Sequence, residues 1–246
     1  MRKLLAQESL RQVFTHATYI MNQILRGFLV VISIIVVFQS IMIIVSMPYI
    51  EVFRGTMVIG LMAMMLYTSF QSTTMIDEML SGEAILYLSH TLTRKLYVLS
   101  WILALCVMPL IALLLSYVIP FLILLPAVLT IPEAIVSILY AILQLAIFAS
   151  MIMFLTILSR RKGIVVGMGV IMSLIIPWIM SMAIYFVPPI APIIGMFTPF
   201  YYYLSYETMY RTTLSLPPPL IIGIASIIIT IAFYSAIFTM CKKIDF

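Results

Sequence analysis

The chain has 246 residues, of which 65% are hydrophobic and 9% are charged, with a formal net charge of +5. A soluble domain of this length could not hide so much apolar surface from water, so the composition predicts an integral membrane protein. Its long apolar stretches are typical of bundled helices, whereas an outer-membrane barrel would show alternating strands of about ten residues. We therefore expect an all-α membrane protein.

Residue types that carry catalysis or bind metals are sparse in this chain. It contains eight acidic residues, two histidines and two cysteines. None of them has the spacing of a zinc site, and two lone cysteines do not define a disulfide framework. No phosphate-loop motif of the form G-x-x-x-x-G-K-[ST] occurs. The sequence thus predicts a chain that is not an enzyme and has no catalytic residues, cofactor site or metal site of its own.

The chain begins with a predicted amphipathic helix, residues 1–26. Its apolar residues recur at three- and four-residue steps, and polar residues occupy the opposite side. The apolar set is Leu10, Val13, Phe14, Ala17, Met21 and Ile24. One interpretation lays this helix on the inner leaflet beneath the bundle, and the other makes it a cytoplasmic extension of the first span. We expect the interfacial position.

Residues 27–246 form the predicted six-helix transmembrane domain. Each of six apolar runs is long enough to cross a hydrocarbon layer of about 30 Å. The predicted spans cover about residues 27–47, 55–75, 98–118, 134–158, 164–187 and 220–240. Nothing between these spans is long enough to form a soluble domain.

The placement of the basic residues predicts the orientation of the chain. With the N-terminus in the cytoplasm, eleven of the thirteen Lys and Arg residues face inward, and only Arg54 and Arg211 face outward. The inner set is Arg2, Lys3, Arg11, Arg26, Arg94, Lys95, Arg160, Arg161, Lys162, Lys242 and Lys243. This asymmetry predicts a multi-pass protein of the cell membrane with both termini cytoplasmic. Since the basic residues report orientation, no nucleic-acid partner is expected.

The longest predicted inner connection, residues 76–97, has an unusual composition for a linker. It combines three acidic residues, a central Gly82, an apolar run over residues 85–88 and a basic pair. The acids are Asp77, Glu78 and Glu83, and the basic pair is Arg94 and Lys95. The segment is either a short helix that docks against another protein or a helix hairpin whose apolar residues lie in the headgroup layer.

The spacing within this segment resembles that of the permeases of type-two ATP-binding-cassette (ABC) exporters, which are six-helix subunits of about this size. In that family an acidic residue precedes a glycine, leucines follow, and an arginine stands twelve positions after the glycine. Glu78, Gly82, Leu86, Leu88 and Arg94 match the pattern. Three positions depart from it: Glu83 replaces a usual Thr, Thr91 a common Pro, and Trp101 a frequent Lys.

The resemblance implies partners and a coupling site. Two permease copies, or one copy and a related permease, would pair in the bilayer, and two ABC ATPase subunits carrying ATP and Mg would dock from the cytoplasm. Residues 76–97 would be the cytoplasmic coupling segment. The implied ATPase-coupling residues are Asp77, Glu78, Gly82, Glu83, Leu86, Tyr87, Leu88 and Arg94.

The resemblance also implies a re-entrant helical hairpin over residues 188–219 on the outer side, before the last span. Prolines are so frequent in this segment that it cannot form a seventh regular span. Its tyrosines fit the outer aromatic belt. On the residues alone, an interfacial loop anchored by those tyrosines is an equal alternative.

Small and polar residues in the second and fifth predicted spans indicate a possible route for cargo. The candidate pathway residues are Met65, Thr68, Ser69, Ser72, Gly167, Ser173 and Pro177. Either the two spans line a shared path at a subunit interface, or these residues pack within one bundle. Walls rich in Leu, Ile and Met favour a hydrophobic or amphipathic cargo such as a lipid, drug, peptide or glycoconjugate.

Two other functions remain open from the sequence: an ion-coupled secondary transporter and a non-transporting membrane assembly subunit. Ion-coupled transporters keep ionisable groups near the bilayer midplane at a cost of about 2.5–3.5 kcal/mol each. Here every charge falls at a predicted span end or in a loop. We therefore expect an exporter permease whose energy comes from ATP hydrolysed by a partner chain.

Overall fold

The computed structural model describes residues 2–45, 49–90, 93–124, 126–209 and 216–240, and every secondary-structure element in these ranges is helical. Five helical stretches in them are long and apolar enough to cross a membrane. They are Ile50–Ser81, Arg94–Leu124, Pro132–Ser159, Lys162–Ile184 and Pro219–Met240. The all-α fold class is thus confirmed, and the helices are those expected of a multi-pass membrane protein.

Eleven α-helices, α1 to α11, account for most of the described chain. In order they are Arg2–Val45, Tyr49–Ser81, Glu83–His90, Arg94–Ile102, Met108–Leu124, Pro132–Ser159, Lys162–Val170, Ile176–Phe186, Ala191–Phe197, Pro199–Met209 and Pro219–Met240. π-Helical turns join α4 to α5 and α7 to α8, and a 3₁₀ helix, Pro126–Thr130, precedes α6. The centre of the bundle is formed by α2 and α6, which pack on each other and on most of the remaining helices.

The predicted boundary between residues 26 and 27 falls inside one continuous helix, α1. Its apolar stretch, Leu29–Ile44, is shorter than the five long ones within the described residues. In the N-terminal half, Val13, Ala17 and Ile20 are at most 2% exposed, and α1 packs on α2, α4 and α5. Phe14, placed on the apolar face by the sequence, is instead exposed. This half of α1 therefore presents an apolar face to the protein itself.

The second helix is longer than its predicted span, residues 55–75, because no glycine or proline interrupts it between Gly60 and Gly82. Its hydroxyl side chains donate to carbonyls three or four residues earlier, as Thr68 does to Met64 at 2.9 Å, and so remain compatible with the helix. Residues 76–81 therefore belong to α2. The long inner connection predicted from the sequence is reduced to the short helix α3 and its flanking residues.

Each π-helical turn is followed by a proline two residues after its end. Leu103–Val107 precedes Pro109, and Ile171–Ile175 precedes Pro177. Proline cannot donate the usual helical hydrogen bond and its ring crowds the carbonyl four residues earlier, so a wider turn relieves the clash. Pro177 thus follows a local π turn within a helix that continues to Phe186.

The proline-rich segment before the last long helix contains two short helices, α9 and α10. Four consecutive aromatic residues at the start of α10, Phe200 to Tyr203, are at most 5% exposed. The Tyr202 hydroxyl donates to the Pro217 carbonyl at 2.7 Å, and the Tyr203 ring stacks on Tyr140 of α6 with centroids 4.8 Å apart. These aromatic rings are therefore buried in protein, and the re-entrant hairpin and the interfacial loop both stay predictions.

Several sequence predictions concern residues outside the described ranges. They are residues 46–47 of the first predicted span, Thr91, Arg211, Lys242, Lys243 and residues 210–215 of the predicted hairpin. Leu86 lies within α3, but its side-chain surroundings also fall outside what the structure describes.

Candidate functional site

The short helix α3 is joined to α2 by a single glycine. Gly82 has a φ of 81°, in the left-handed region that favours a residue without a side chain. The Ile85 amide donates to the Gly82 carbonyl at 3.0 Å, which closes the turn. Glu83 then lies in the first turn of α3, where a carboxylate complements the helix dipole. The sequence therefore specifies a sharp stop and restart at this position.

Glu78, in the last turn of α2, is buried with 3% of its surface exposed. Its Oε2 accepts a hydrogen bond from the Tyr97 hydroxyl at 2.9 Å and another from the Trp101 indole N–H at 3.2 Å. Both donors are fully buried and lie four residues apart on one face of α4. Oε1 has no partner within the described chain. This carboxylate ties the end of α2 to the start of α4, with α3 held between them.

A second buried polar residue, His16 of α1, reaches the same face of α4. Its Nδ1 lies 2.6 Å from the Ser100 hydroxyl oxygen, and that hydroxyl donates its proton to the Tyr97 carbonyl at 2.7 Å. Nδ1–H must then be the donor to Ser100, which leaves Nε2 as an acceptor without a described partner. Burial lowers the pKa of His16 to about 4, so the ring is neutral at physiological pH.

Tyr87 of α3 completes the contact between the four helices. Its ring centroid lies 4.6 Å from that of His16, and the Tyr97 ring centroid lies 5.5 Å from that of the same imidazole. We call the six residues that meet here the Glu78 cluster. They are His16, Glu78, Tyr87, Tyr97, Ser100 and Trp101. Because the cluster joins α1, α2, α3 and α4 through buried hydrogen bonds and rings, a displacement of α3 would be passed to three longer helices.

The predicted coupling residues divide into buried and exposed sets. Glu78 is buried, so a partner protein cannot touch it directly. Tyr87 is half-buried against His16, and Leu88 packs against the apolar core. Asp77 and Glu83 remain exposed at this end of the bundle, as does Arg94. The ATPase-coupling role of each residue stays a prediction, and for Glu78 it could act only by positioning α3.

Part of the exposed apolar surface at this end comes from two residues that are not among the predicted coupling residues. Leu80 at the end of α2 is 64% exposed, and Ile85 of α3 is 49% exposed. They flank Gly82 in the sequence, and the exposed Glu83 follows Gly82 directly. An interface with another protein combines an apolar centre with a polar rim, and these residues offer both kinds of group.

An ion pair links this end of α2 to the turn between α6 and α7. Lys162 Nζ pairs with Asp77 Oδ1, and both side chains are about half exposed. Arg160 ends α6 in a left-handed conformation with φ of 50°, and Arg161 follows it. The basic turn is therefore at the same end of the bundle as α3 and the start of α4. The pair itself contributes little stability because it is solvated.

The candidate pathway residues of α2 are packed inside the chain. Met65, Thr68, Ser69 and Ser72 are fully buried. The hydroxyls of the last three donate to carbonyls of their own helix. A side chain on Gly169 would overlap Ser69, so α2 and α7 approach closely at this point. This packing of α2 on α7 lies within one chain, and a meeting of the second and fifth spans at a subunit interface stays a prediction.

The candidate pathway residues of the fifth span differ in their surroundings. Ser173 is buried and donates to the Gly169 carbonyl at 2.7 Å. Gly167 is exposed, with open space where a side chain would project. Pro177 lines a groove on the surface of the bundle. A shared path at a subunit interface stays a prediction. Within the chain Ser173 is a packing contact, whereas Gly167 lies at the surface.

The residues that sequence reasoning missed are His16, Tyr97, Ser100 and Trp101. Their partners lie far away in sequence: 84 residues separate His16 from Ser100, and 23 separate Glu78 from Trp101. The one available signal was the four-residue step from Tyr97 to Trp101, which places two polar aromatic residues on one helix face. Trp101 counted as a departure from the family pattern, and here its indole N–H holds the carboxylate.

No metal or cofactor centre is evident in this region. Within the described ranges, no three His, Cys, Asp or Glu side chains are grouped closely enough to hold a metal ion. No protein-family model matches the chain, and no curated protein matches it either. Any function must therefore be argued from the helices and from the Glu78 cluster.

Proposed function

We propose that this chain is the transmembrane permease subunit of an ABC exporter, with ATP hydrolysed on a separate ATPase subunit. One observation carries the proposal: α3 lies between two membrane-length helices, is anchored through the Glu78 cluster and keeps an exposed apolar side chain, Ile85. A short helix that transmits a movement of its partner must bind that partner and also be anchored to the helices that move. Leu80 and Ile85 would supply exposed apolar contacts for the partner, and Glu78 and Tyr87 anchor this region to α4 and α1.

In this proposal the chain has six spans. The apolar part of α1, Leu29–Ile44, would be the first, and the five longer apolar stretches would be the rest. The N-terminal half of α1 would lie at the cytoplasmic surface, and α9 and α10 would form a re-entrant hairpin on the outer side. Support comes from the basic residues of α4 and of the α6–α7 turn, which lie at the α3 end, as the positive-inside rule expects for a cytoplasmic face.

The ATPase would bind the exposed surface formed by Leu80, Glu83 and Ile85. Two exposed apolar side chains beside a carboxylate would bury area and still select a partner that offers a basic residue. Asp77 lies nearby but is already engaged with Lys162. The partner chain, carrying ATP and Mg, would supply the energy for transport.

A second permease copy would complete the transporter in the bilayer. One six-helix chain has little room to enclose an amphipathic cargo, and the pathway residues of α2 are packed shut inside it. The exposed Gly167 offers a surface where another helix could approach closely. A homodimer or a pair of related permeases would then form the path between the subunits.

The proposal is tested by isolating the chain from its native membrane in mild detergent and identifying the proteins bound to it. We expect an ATPase with a phosphate-loop motif and two permease chains per complex. Reconstituted vesicles containing both proteins should then move cargo only with hydrolysable ATP. Transport driven by a proton or sodium gradient without nucleotide would contradict the proposal.

A proton-coupled secondary transporter is a second candidate because of the buried Glu78. Its carboxylate lies within a membrane-length apolar helix and has one oxygen without a described partner, so it could bind and release a proton. Transport by the Glu78→Gln variant distinguishes the two candidate functions. A proton-driven carrier would lose transport in this variant, whereas an ATP-driven permease would retain ATP dependence, since glutamine can still accept from Tyr97 and Trp101.

A further inference from the structure

A surface groove lies between α2, α8 and α10, at the opposite end of α2 from the Glu78 cluster. Its volume is about 470 Å³, within the range of about 300–1,000 Å³ usual for small-molecule sites. The walls are mostly apolar, with Ser181 and Ser205 as minor polar points. Trp178, Met182 and Phe186 are 69%, 54% and 81% exposed along it. An elongated apolar group would fit such a groove, since it offers contact along its length and few hydrogen bonds.

One basic residue continues the α2 wall of this groove. Arg54 precedes Val58 and Met62, both groove residues, by four and eight positions, so all three lie on one face of α2. The spacing places the guanidinium group about one helical turn beyond the nearer end of the apolar wall. A hydrophobic groove with a single positive charge at its end is the arrangement that complements an anionic amphipath.

The hydrogen-bond donors of the Arg54 guanidinium are not all paired within the described residues. It is half-buried, and its Nη2 donates to the Tyr203 hydroxyl at 3.4 Å, with the guanidinium carbon 5.9 Å from the ring centroid. Its Nε is buried without a partner. Among the described residues no carboxylate pairs with it, although Glu51 and Glu207 lie exposed on α2 and α10. A half-buried guanidinium is costly to leave without an anion, and its planar fork matches a carboxylate or phosphate.

We infer that this groove binds the alkyl chain of an anionic lipid whose acidic headgroup pairs with Arg54. The inference rests on the proposed transport function, because it names the chemical class of the cargo. A neutral drug would leave the guanidinium without its anion, and a peptide would bring backbone groups that the apolar walls cannot satisfy. Charge complementarity together with an apolar groove selects an acidic headgroup on a hydrocarbon chain.

The two tryptophans of the chain provide the test. Trp178 lies exposed in the groove, whereas Trp101 is fully buried in the Glu78 cluster. The permease alone is placed in nanodiscs, and phosphatidic acid or phosphatidylcholine with brominated acyl chains is titrated in. Bromine quenches a nearby indole. The Trp178→Phe variant gives the fluorescence of Trp101 as the baseline, and circular dichroism confirms that each variant is folded.

We expect brominated phosphatidic acid to reach half-quenching of Trp178 at a mole fraction roughly five- to tenfold lower than phosphatidylcholine, since a charge-assisted contact is gained. Arg54→Gln should remove this preference, and Arg54→Lys should keep most of it. Lys95→Gln, an exposed basic residue at the far end of the bundle, is the matched control and should change nothing. Equal quenching by the two lipids, or a preference that survives Arg54→Gln, would overturn the inference. No ATPase is present, so this result is independent of whether a partner is found.

Discussion

Glu78 and Arg54 lie near opposite ends of α2, about 36 Å apart along the helix axis. Each is a charged residue withdrawn from solvent, but their surroundings differ. Glu78 accepts from two fully buried donors on α4. Within the described residues, Arg54 makes one long hydrogen bond to the Tyr203 hydroxyl and one contact with the Tyr203 ring, and its Nε has no partner.

The difference indicates two uses of buried charge in one helix. At the Glu78 end, Tyr97 and Trp101 supply the hydrogen-bond donors for the carboxylate, and the Glu78 cluster connects four helices. At the Arg54 end a guanidinium N–H has no partner among the described residues and lies near an apolar groove. This arrangement is consistent with the proposed binding of an anionic ligand. Substitutions at the first end should therefore act on stability, and substitutions at the second on binding.

The largest effect is expected from comparing the two tryptophans. Trp101→Ala removes a fully buried ring and the N–H that donates to Glu78, and should lower the free energy of unfolding by about 3–5 kcal/mol. Trp178→Ala, in the exposed groove, should cost below about 1 kcal/mol. Equilibrium unfolding in mixed micelles with a denaturing detergent measures both. Equal losses would show that the Glu78 cluster is no more tightly packed than the groove.

A smaller effect is expected from two neighbouring acids. Glu78→Ala leaves the Tyr97 hydroxyl and the Trp101 indole N–H buried without their acceptor, and should destabilise the protein by about 2–4 kcal/mol. Asp77→Ala breaks only the exposed pair with Lys162 and should cost below about 1 kcal/mol. The same unfolding measurement applies. A larger loss for Asp77→Ala than for Glu78→Ala would reverse the assignment of the structural carboxylate.

His16 should make stability depend on pH. Its folded pKa of about 4 lies below the unfolded value of 6.5, so between these values the unfolded chain binds a proton that the folded chain does not. Stability should therefore fall as pH falls through this window, by an amount on the order of 3 kcal/mol. His16→Gln should flatten that dependence. Parallel curves for the two proteins from pH 7 to pH 4 would show that His16 is not the group responsible.

The smallest effect is expected from two glycines. Gly82→Ala places a side chain at a positive φ and should cost about 1 kcal/mol, with α3 loosened from its position. Gly167→Ala lies in a helix with open space beside it and should be neutral or slightly stabilising. Thermal unfolding midpoints in detergent separate the two. A stabilising Gly82→Ala would mean that the turn between α2 and α3 does not need its left-handed conformation.

The all-α fold and the long apolar helices could be predicted because apolar runs are local signals. The burial of Glu78 and the half-burial of Arg54 could not be predicted, since each depends on residues of other helices, such as Trp101 and Tyr203. Both charges had been placed outside the predicted spans. Past residue 75 the helix continues because no glycine or proline stops it before Gly82, and at its other end α2 continues through Gly55 to Tyr49.

The face of α3 that would meet a partner also could not be chosen from composition. The apolar run over residues 85–88 looks uniform in the sequence, yet Ile85 is exposed while Tyr87 contacts His16 and Leu88 packs on the core. Charged substitutions at Tyr87 or Leu88 would therefore disturb folding and docking together. Ile85 is the position at which docking can be tested by itself.

The most direct test of the account is the amount of ATPase that co-purifies with the Ile85→Glu variant. Ile193→Glu on α9, which is also an exposed isoleucine but lies at the other end of the bundle, is the matched control. We expect Ile85→Glu to lower the recovered ATPase by tenfold or more with the permease still inserted and folded, because a charge replaces an apolar contact at the centre of the docking surface. Ile193→Glu should recover wild-type amounts. Equal recovery with both variants would contradict the central claim that α3 is where the partner binds.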